Sequence, residues 1–381
     1  MPARGTIFQI RARCFLVAGL LLAEAWGIDG ANLGPNPSLS SGSQTLNPSN
    51  YFTGTFSISG SATLNLSGNY TTPNSTTFAF SGAGSTFLSY SGGGPFTLSL
   101  PTGTAFTRSG GAGSTYVYDH VANSGTLTVS GGSLLFQSGT TLTINSGGTA
   151  TVTGATSILS LYGLANAGSL SVANSGLIQL AGTVTTANLG LISISTGGGV
   201  RLTGTINNAA ATLAAPSGGA YTLYGGTITG GTINSGALSF SSSGGTLDGA
   251  TVSGNLTLAS GENLTLKNSA GATGTTTVNN ATLYLGTNLS AAAGSTYDFT
   301  GANSYLSYTG GGPFTFTVPA TASFTRSGAG NTYVYDHVAN SGTLTVSGGS
   351  LLFQSGTTLT INSGGTATVT GATSILSLYG L

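Results

Sequence analysis

Only two stretches of this sequence set chemically capable side chains next to one another, Tyr118-Asp119-His120 and Tyr335-Asp336-His337. An aspartate that orients a histidine belongs to nucleophilic hydrolase chemistry. In a strand, however, neighbouring side chains point to opposite faces, so this Asp and this His do not form a dyad with each other. Serine is too abundant for any one hydroxyl to count as their nucleophile. The expectation is a structural pair at a corner or on the surface, with Arg108 as partner to Asp119 and Arg326 as partner to Asp336.

Other site chemistry is weaker still. Glycoside cleavage needs two carboxylates on one face, and calcium-dependent lyase chemistry needs several. Asp29, Asp119, Asp248, Glu262, Asp298 and Asp336 are scattered instead. Cys14 is the single cysteine, no two histidines stand at ligand spacing, and Lys267 is followed by Asn268 rather than by a phosphate-binding motif. No catalytic residue, metal or cofactor is expected, and the chain is not read as an enzyme.

The elements that carry these residues are duplicated. Tyr116 to Leu164 recurs residue for residue at Tyr333 to Leu381, and the stretch from Leu88 to Gly111 answers Leu306 to Gly328 with small changes. One unit spans about residues 62–280, and a second, shorter copy covers 281–381. The first copy reads on past Leu164 while the second stops at Leu381, so the chain is expected to be a fragment of a longer repetitive protein.

Residues 1–25 read as a secretory signal: Arg4, Arg11 and Arg13, then an apolar run from Cys14 to Ala23, then a small-x-small site at Ala23-Glu24-Ala25. The run is too short to span a bilayer. Residues 26–50, with Pro35, Pro37 and Pro48 and no apolar period, are expected to be a linker or N-terminal cap. Past the signal, four basic side chains face six acidic ones, a net charge of −2, which excludes a basic stripe for nucleic acid. With no cysteine left to form a disulfide, stability must come from a large repetitive core.

From Tyr51 onward, runs such as Thr126-Leu127-Thr128-Val129 and Ser169-Leu170-Ser171-Val172 alternate with period two between Gly, Ser and Asn turns. That is the mark of half-buried strands. No window holds a helical period. Strand centres seven to nine residues apart predict an all-β parallel β-helix over 51–381, a β-solenoid of three-strand coils of roughly 20 to 27 residues. A sandwich or barrel is the competing fold, but Asn-Gly and Asp-Gly hairpin turns are missing at most corners. Inward positions are Leu127, Val129, Leu142, Ile144, Val152, Leu170, Val172, Ile178, Leu180, Leu256, Leu258, Leu264 and Leu266. Asn123, Asn145, Asn174, Asn207, Asn234 and Asn279 are expected at corners, tolerating positive φ and bonding along the stack.

Residues 77–121 and 296–338 differ from the rest in being rich in aromatics, and are expected to be a wider coil or a protruding hairpin. Protruding loops are where a solenoid carries binding. The candidate contact residues are Tyr90, Phe106, Arg108, Tyr116, Tyr118, Asp119 and His120, with Tyr308, Phe324, Arg326, Tyr333, Tyr335, Asp336 and His337 in the second copy.

The run from Gly244 to Gly286, with GTLTVSGGS at Gly125 to Ser133 and SLSVANSGLIQLAG at Ser169 to Gly182, resembles the repetitive passenger regions of bacterial autotransporter-type and filamentous-haemagglutinin-like surface proteins. The resemblance is compositional, and no site residue carries over. It implies a secreted or outer-membrane-associated structural protein, an adhesin or stalk, whose partners are surface glycans or a host or neighbouring cell. Membrane attachment would come only through a region beyond this sequence, and lateral association of rods is also expected. Two alternatives stand beside it: a carbohydrate-active β-helix enzyme with its acids elsewhere, and an ice-binding solenoid. The threonines argue against the second, since no Thr-x-Thr pattern is sustained from coil to coil.

Overall fold

A computed structural model describes residues 32–379, so the expected signal at 1–25 lies outside the described residues. Thr, Val, Ile and Leu in alternation favour a pleated, half-buried strand, and the described chain forms forty-nine strands. Each pairs in parallel with the third strand after it along most of the chain, as Ala105–Ser109 pairs with Thr126–Val129 and that strand with Thr149–Thr153. Parallel pairing throughout rules out a hairpin-built sandwich. The result is a β-solenoid of about 16 stacked coils of roughly 22 residues. Individual coils range more widely than expected, from 17 residues between Tyr221 and Leu238 to 29 between Thr86 and Thr115.

The alternation places the apolar residues in one continuous column. All thirteen expected inward positions, from Leu127 to Leu266, are buried there. A buried Leu, Ile or Val contributes about 1.5–3 kcal/mol, against about 1–2 kcal/mol of backbone entropy for every residue ordered. A single coil therefore does not hold alone, and the ladder to its neighbours is what fixes it.

Residues 32–50, expected to be a linker or cap, already run in the ladder: Ser43–Leu46 pairs with Thr63–Leu66. The corner asparagines also differ from expectation. Of the six named, Asn174 alone takes a positive φ, whereas Asn36, Asn268 and Asn280 do so elsewhere. Bonding along the stack is present at Asn145, whose Nδ2 donates to Ser124 Oγ (2.9 Å), and at Asn174, whose Nδ2 donates to Thr153 Oγ1 (2.9 Å). One column of threonines, Thr183, Thr205, Thr227, Thr246 and Thr265, stays in register over five coils. The column beside it is mixed, with Thr185, Asn207, Thr229, Asp248 and Lys267.

The walls are reorganised once. Between Leu177 and Gly199 the coil holds four segments rather than three, because Thr183–Thr185 is followed by a single helical turn, Thr186–Leu189, before Leu191–Ile194. An eight-stranded ladder ends at Leu191–Ile194, and a ten-stranded one begins at Thr183–Thr185 and runs to Ile375–Leu378. The two repeat copies consequently sit in different ladders. Ser114–Val117 lies in the ladder from Ser43–Leu46 to Leu238–Ser239, and its counterpart Asn331–Val334 in the one that starts at Thr183.

Candidate functional site

Residues 77–121 form no hairpin. Their strands join the same parallel ladders, and the extra length goes into wide corners of an enlarged coil. Filling that wider interior requires larger side chains. Phe78, Phe80 and Phe106 are fully buried, and Phe80 stacks on Phe106 with centroids 4.9 Å apart, as Phe299 does on Phe324 at 5.0 Å. Phe106 and Phe324, proposed from sequence as contact residues, are core.

Arg108 and Arg326 are core as well. Two residues beyond Phe106 along the strand, Arg108 also points inward, and it is fully buried. Its guanidinium donates to the carbonyl oxygens of Ser109 (2.5 Å), Gly110 (2.9 Å), Gly82 (2.9 Å) and Gly113 (2.5 Å). Arg326 donates to those of Phe299, Gly301 and Ala329 at 2.8, 2.8 and 2.6 Å. Wide glycine corners leave carbonyls without strand partners, and an inward guanidinium with its five donors satisfies several at once. Burial lowers both arginines from their usual pKa. Asp119 and Asp336 do stand at corners, one of the two expected places, but they are not paired with Arg108 and Arg326, whose terminal nitrogens donate to backbone carbonyls.

Asp119 and Asp336 are likewise fully buried, at a different corner. Asp119 Oδ1 accepts the Phe96 N–H (2.7 Å), and Asp336 Oδ1 accepts the Phe314 N–H (2.7 Å). In both, Oδ2 has no hydrogen-bond partner. Burial pushes each carboxyl up to about 6, the backbone hydrogen bond opposing this only in part. His120 stands half-exposed, with Nδ1 accepting the Thr141 N–H (3.2 Å), and His337 Nδ1 likewise accepts from Thr358 (3.1 Å). Asp and His thus serve separate contacts, as alternation along the strand requires.

The outward face of this coil is where the aromatic candidates come together. Phe87 and Tyr116 are in register on adjacent coils and stack at 5.4 Å with 18° between planes; Tyr305 and Tyr333 repeat this at 5.4 Å and 17°. Rings stacked this way cover one another's faces and brace the wall. Tyr118 and Tyr335 are each 38 % exposed, and Tyr90 and Tyr308 are similarly open. The Tyr118 N–H donates to Leu88 O (2.8 Å), which sets Tyr118 against the Ser89–Tyr90 end of the strand one coil earlier, and Tyr335 does the same with Leu306 (2.9 Å). Beside Tyr90 runs a loop that the sequence marks only as a turn, Ser91-Gly92-Gly93-Gly94-Pro95, repeated as Thr309-Gly310-Gly311-Gly312-Pro313. Gly94 packs closely against the base of the Tyr90 ring: a Cβ there would stand 2.5 Å from Cγ and 2.8 Å from Cβ, and Gly312 meets Tyr308 in the same way.

Elsewhere the acids stand apart. Asp248 bonds Asn268, Asp298 bonds Ser327, and Glu262 accepts from the Ala259 N–H. Among the described residues no three His, Cys, Asp or Glu side chains come together. The four-segment coil carries a shallow depression lined by Leu189, Leu191, Ile192, Leu213, Pro216 and Tyr221.

No protein-family model matches this chain, and no curated protein matches it. Among solved structures, the crystal structure of the TibC-catalysed hyper-glycosylated TibA fragment is similar at 17% identity, over 90% of this chain and 98% of that one, with a TM-score of 0.13. At that TM-score the likeness carries no argument.

Proposed function

We propose that this chain is a structural rod of the secreted or cell-surface kind, an adhesin or stalk of the autotransporter-passenger type, that works by presentation rather than catalysis. The observation that carries this reading is the recurrence, on an otherwise nearly uncharged column, of two exposed tyrosines on adjacent coils: Tyr90 and Tyr118, and again Tyr308 and Tyr335. About ten coils separate the copies, or roughly 50 Å at about 4.8 Å per coil. Because the copies sit in different ladders, each is a contact patch of its own on a different wall of the rod, so one chain offers two separate sites to its surroundings. A tyrosine offers an apolar ring and a hydroxyl, the combination that fits the faces and hydroxyls of sugars. Isolated carboxylates favour this over a carbohydrate-active enzyme, and the signal read at residues 1–25 supports export.

The test is binding of the purified chain to immobilised polysaccharides and to cells, beside a variant carrying Tyr90→Ala, Tyr118→Ala, Tyr308→Ala and Tyr335→Ala. Removing the tyrosines of one copy should lower the amount bound by about half, and removing those of both copies should abolish binding. Undiminished binding by the fourfold variant would refute the contact assignment.

A further inference from the structure

Tyr90 is not freely open, because Gly94 of the glycine loop packs against the base of its ring and Phe96 meets the ring edge-on at 6.4 Å, and a buried acid helps to hold that loop. Phe96, at the loop's return into the strand, is gripped from both sides: its N–H donates to Asp119 Oδ1 (2.7 Å), and its carbonyl accepts the His120 N–H (2.8 Å). The loop's ends are also tied, Ser91 N–H donating to Leu66 O (2.8 Å) and Thr97 N–H to Asn69 Oδ1 (2.9 Å), while between them the loop's own backbone bond is Gly94 N–H to Gly92 O (2.9 Å). The second copy repeats the grip at Phe314, with Asp336 (2.7 Å) and His337 (2.8 Å). Both carboxylates have an Oδ2 shut away from solvent with nothing to bond.

We propose that Asp119 and Asp336 latch the glycine loops over Tyr90 and Tyr308, closed while the carboxyl is protonated and loosened when it ionises, so that pH sets how much of each ring is presented. This rests on the reading of those tyrosines as contact residues. A neutral carboxyl tolerates a dry corner, whereas a carboxylate with one donor and a bare second oxygen is strongly disfavoured there. Lifting the loop admits water to Oδ2 at the loss of one hydrogen bond and the Gly94 contact. The ladder strands stay in place, since their bonds lie outside the loop.

The titratable side chains on the elements around Asp119 are Tyr90, Tyr116, Tyr118 and His120; around Asp336 they are Tyr308, Tyr333, Tyr335 and His337. The arginines are committed to carbonyls at another corner and supply no counter-charge. Burial raises both carboxyls to about 6, which sets the response between mildly acidic and neutral pH.

The experiment is hydrogen–deuterium exchange of the whole chain, corrected for the intrinsic pH dependence of exchange, on peptides covering residues 91–96 and 309–314. Loop exchange should rise roughly tenfold or more between about pH 5 and pH 7.5 while the flanking strands hold. Asp119→Asn with Asp336→Asn should keep the loops protected throughout, and His120→Gln with His337→Gln should leave the rise intact. Constant wild-type protection, or an equal rise in the asparagine variant, overturns the latch. Polysaccharide binding is measured on the same samples as a separate arm. Loops that open as described while neither state binds would uphold the latch and remove the contact reading, so the two failures are distinct.

Discussion

Ile144 and Ile361 occupy the same place in two stretches of identical sequence, yet Ile144 is fully buried and Ile361 is 44 % exposed. The strand after the first stretch, Leu164–Asn166, lies in register over Leu142 and Ile144 and covers them. Burial in a solenoid is thus a property of the neighbouring coil, not of the local sequence. Ile144→Ala should cost about 2–4 kcal/mol and Ile361→Ala less than about 1 kcal/mol, measured by denaturant unfolding of each variant. Equal losses would mean that the coils do not stack as described.

The same relationship predicts a gain. Val369, 45 % exposed, and Leu378 likewise stand uncovered on the inward column at this end, in register with buried Val346 and Phe353, while their counterparts Val152 and Leu161 are fully buried. Appending a copy of residues 165–202 after Leu381 should therefore cover them, raise the thermal midpoint by several degrees and reduce self-association in light scattering. An unchanged midpoint would contradict the covering role of the next coil.

Much of this was legible in the alternation. A residue two places from an inward Leu or Val also points inward, which is why all thirteen named core positions are correct. The same parity applied at Arg108, two places after Phe106, but its charge argued for the surface and prevailed. What outweighed the charge was a set of unpaired corner carbonyls, invisible without knowing that Gly82 and Gly113 come from separate corners. Asp119 stands at a corner, as the sequence allows, but its partner is a main-chain N–H rather than a side chain, which no residue type announces. The threonine column from Thr183 to Thr265 was hidden because successive members are 22, 22, 19 and 19 residues apart.

The arginine corner gives a third prediction. Arg108→Met keeps the apolar stem and removes the donors, leaving the carbonyls of Gly82 and Gly113 without the bonds they accept. Charged hydrogen bonds of this kind are worth about 1.5–3 kcal/mol each, so a loss on the order of 3 kcal/mol is expected in chemical denaturation. Arg108→Lys should recover only part, since an ammonium does not span carbonyls from separate corners as the planar fork does. Full recovery by lysine would indicate that charge, rather than fork geometry, matters at this corner.

The buried carboxylates fix the sign of the pH dependence of stability. Asp119 and Asp336 titrate near 3.8 when unfolded, and burial raises both to about 6 in the folded chain, with the Phe96 and Phe314 N–H groups opposing. A raised carboxyl means the folded chain holds its proton where the unfolded chain has lost it. The contribution is fully present below about pH 4 and is lost as the pH climbs to about 6. Two units of displacement correspond to roughly 3 kcal/mol per carboxyl as an upper limit, less whatever loop opening relieves. The thermal midpoint should accordingly be higher at about pH 5 than at about pH 7.5, and the Asp119→Asn, Asp336→Asn variant should flatten the profile by gaining stability at the neutral end. A wild-type midpoint that climbs from acidic to neutral pH, with the variant following it, would mean that these carboxyls are hydrated in the folded chain and that their corners are not dry.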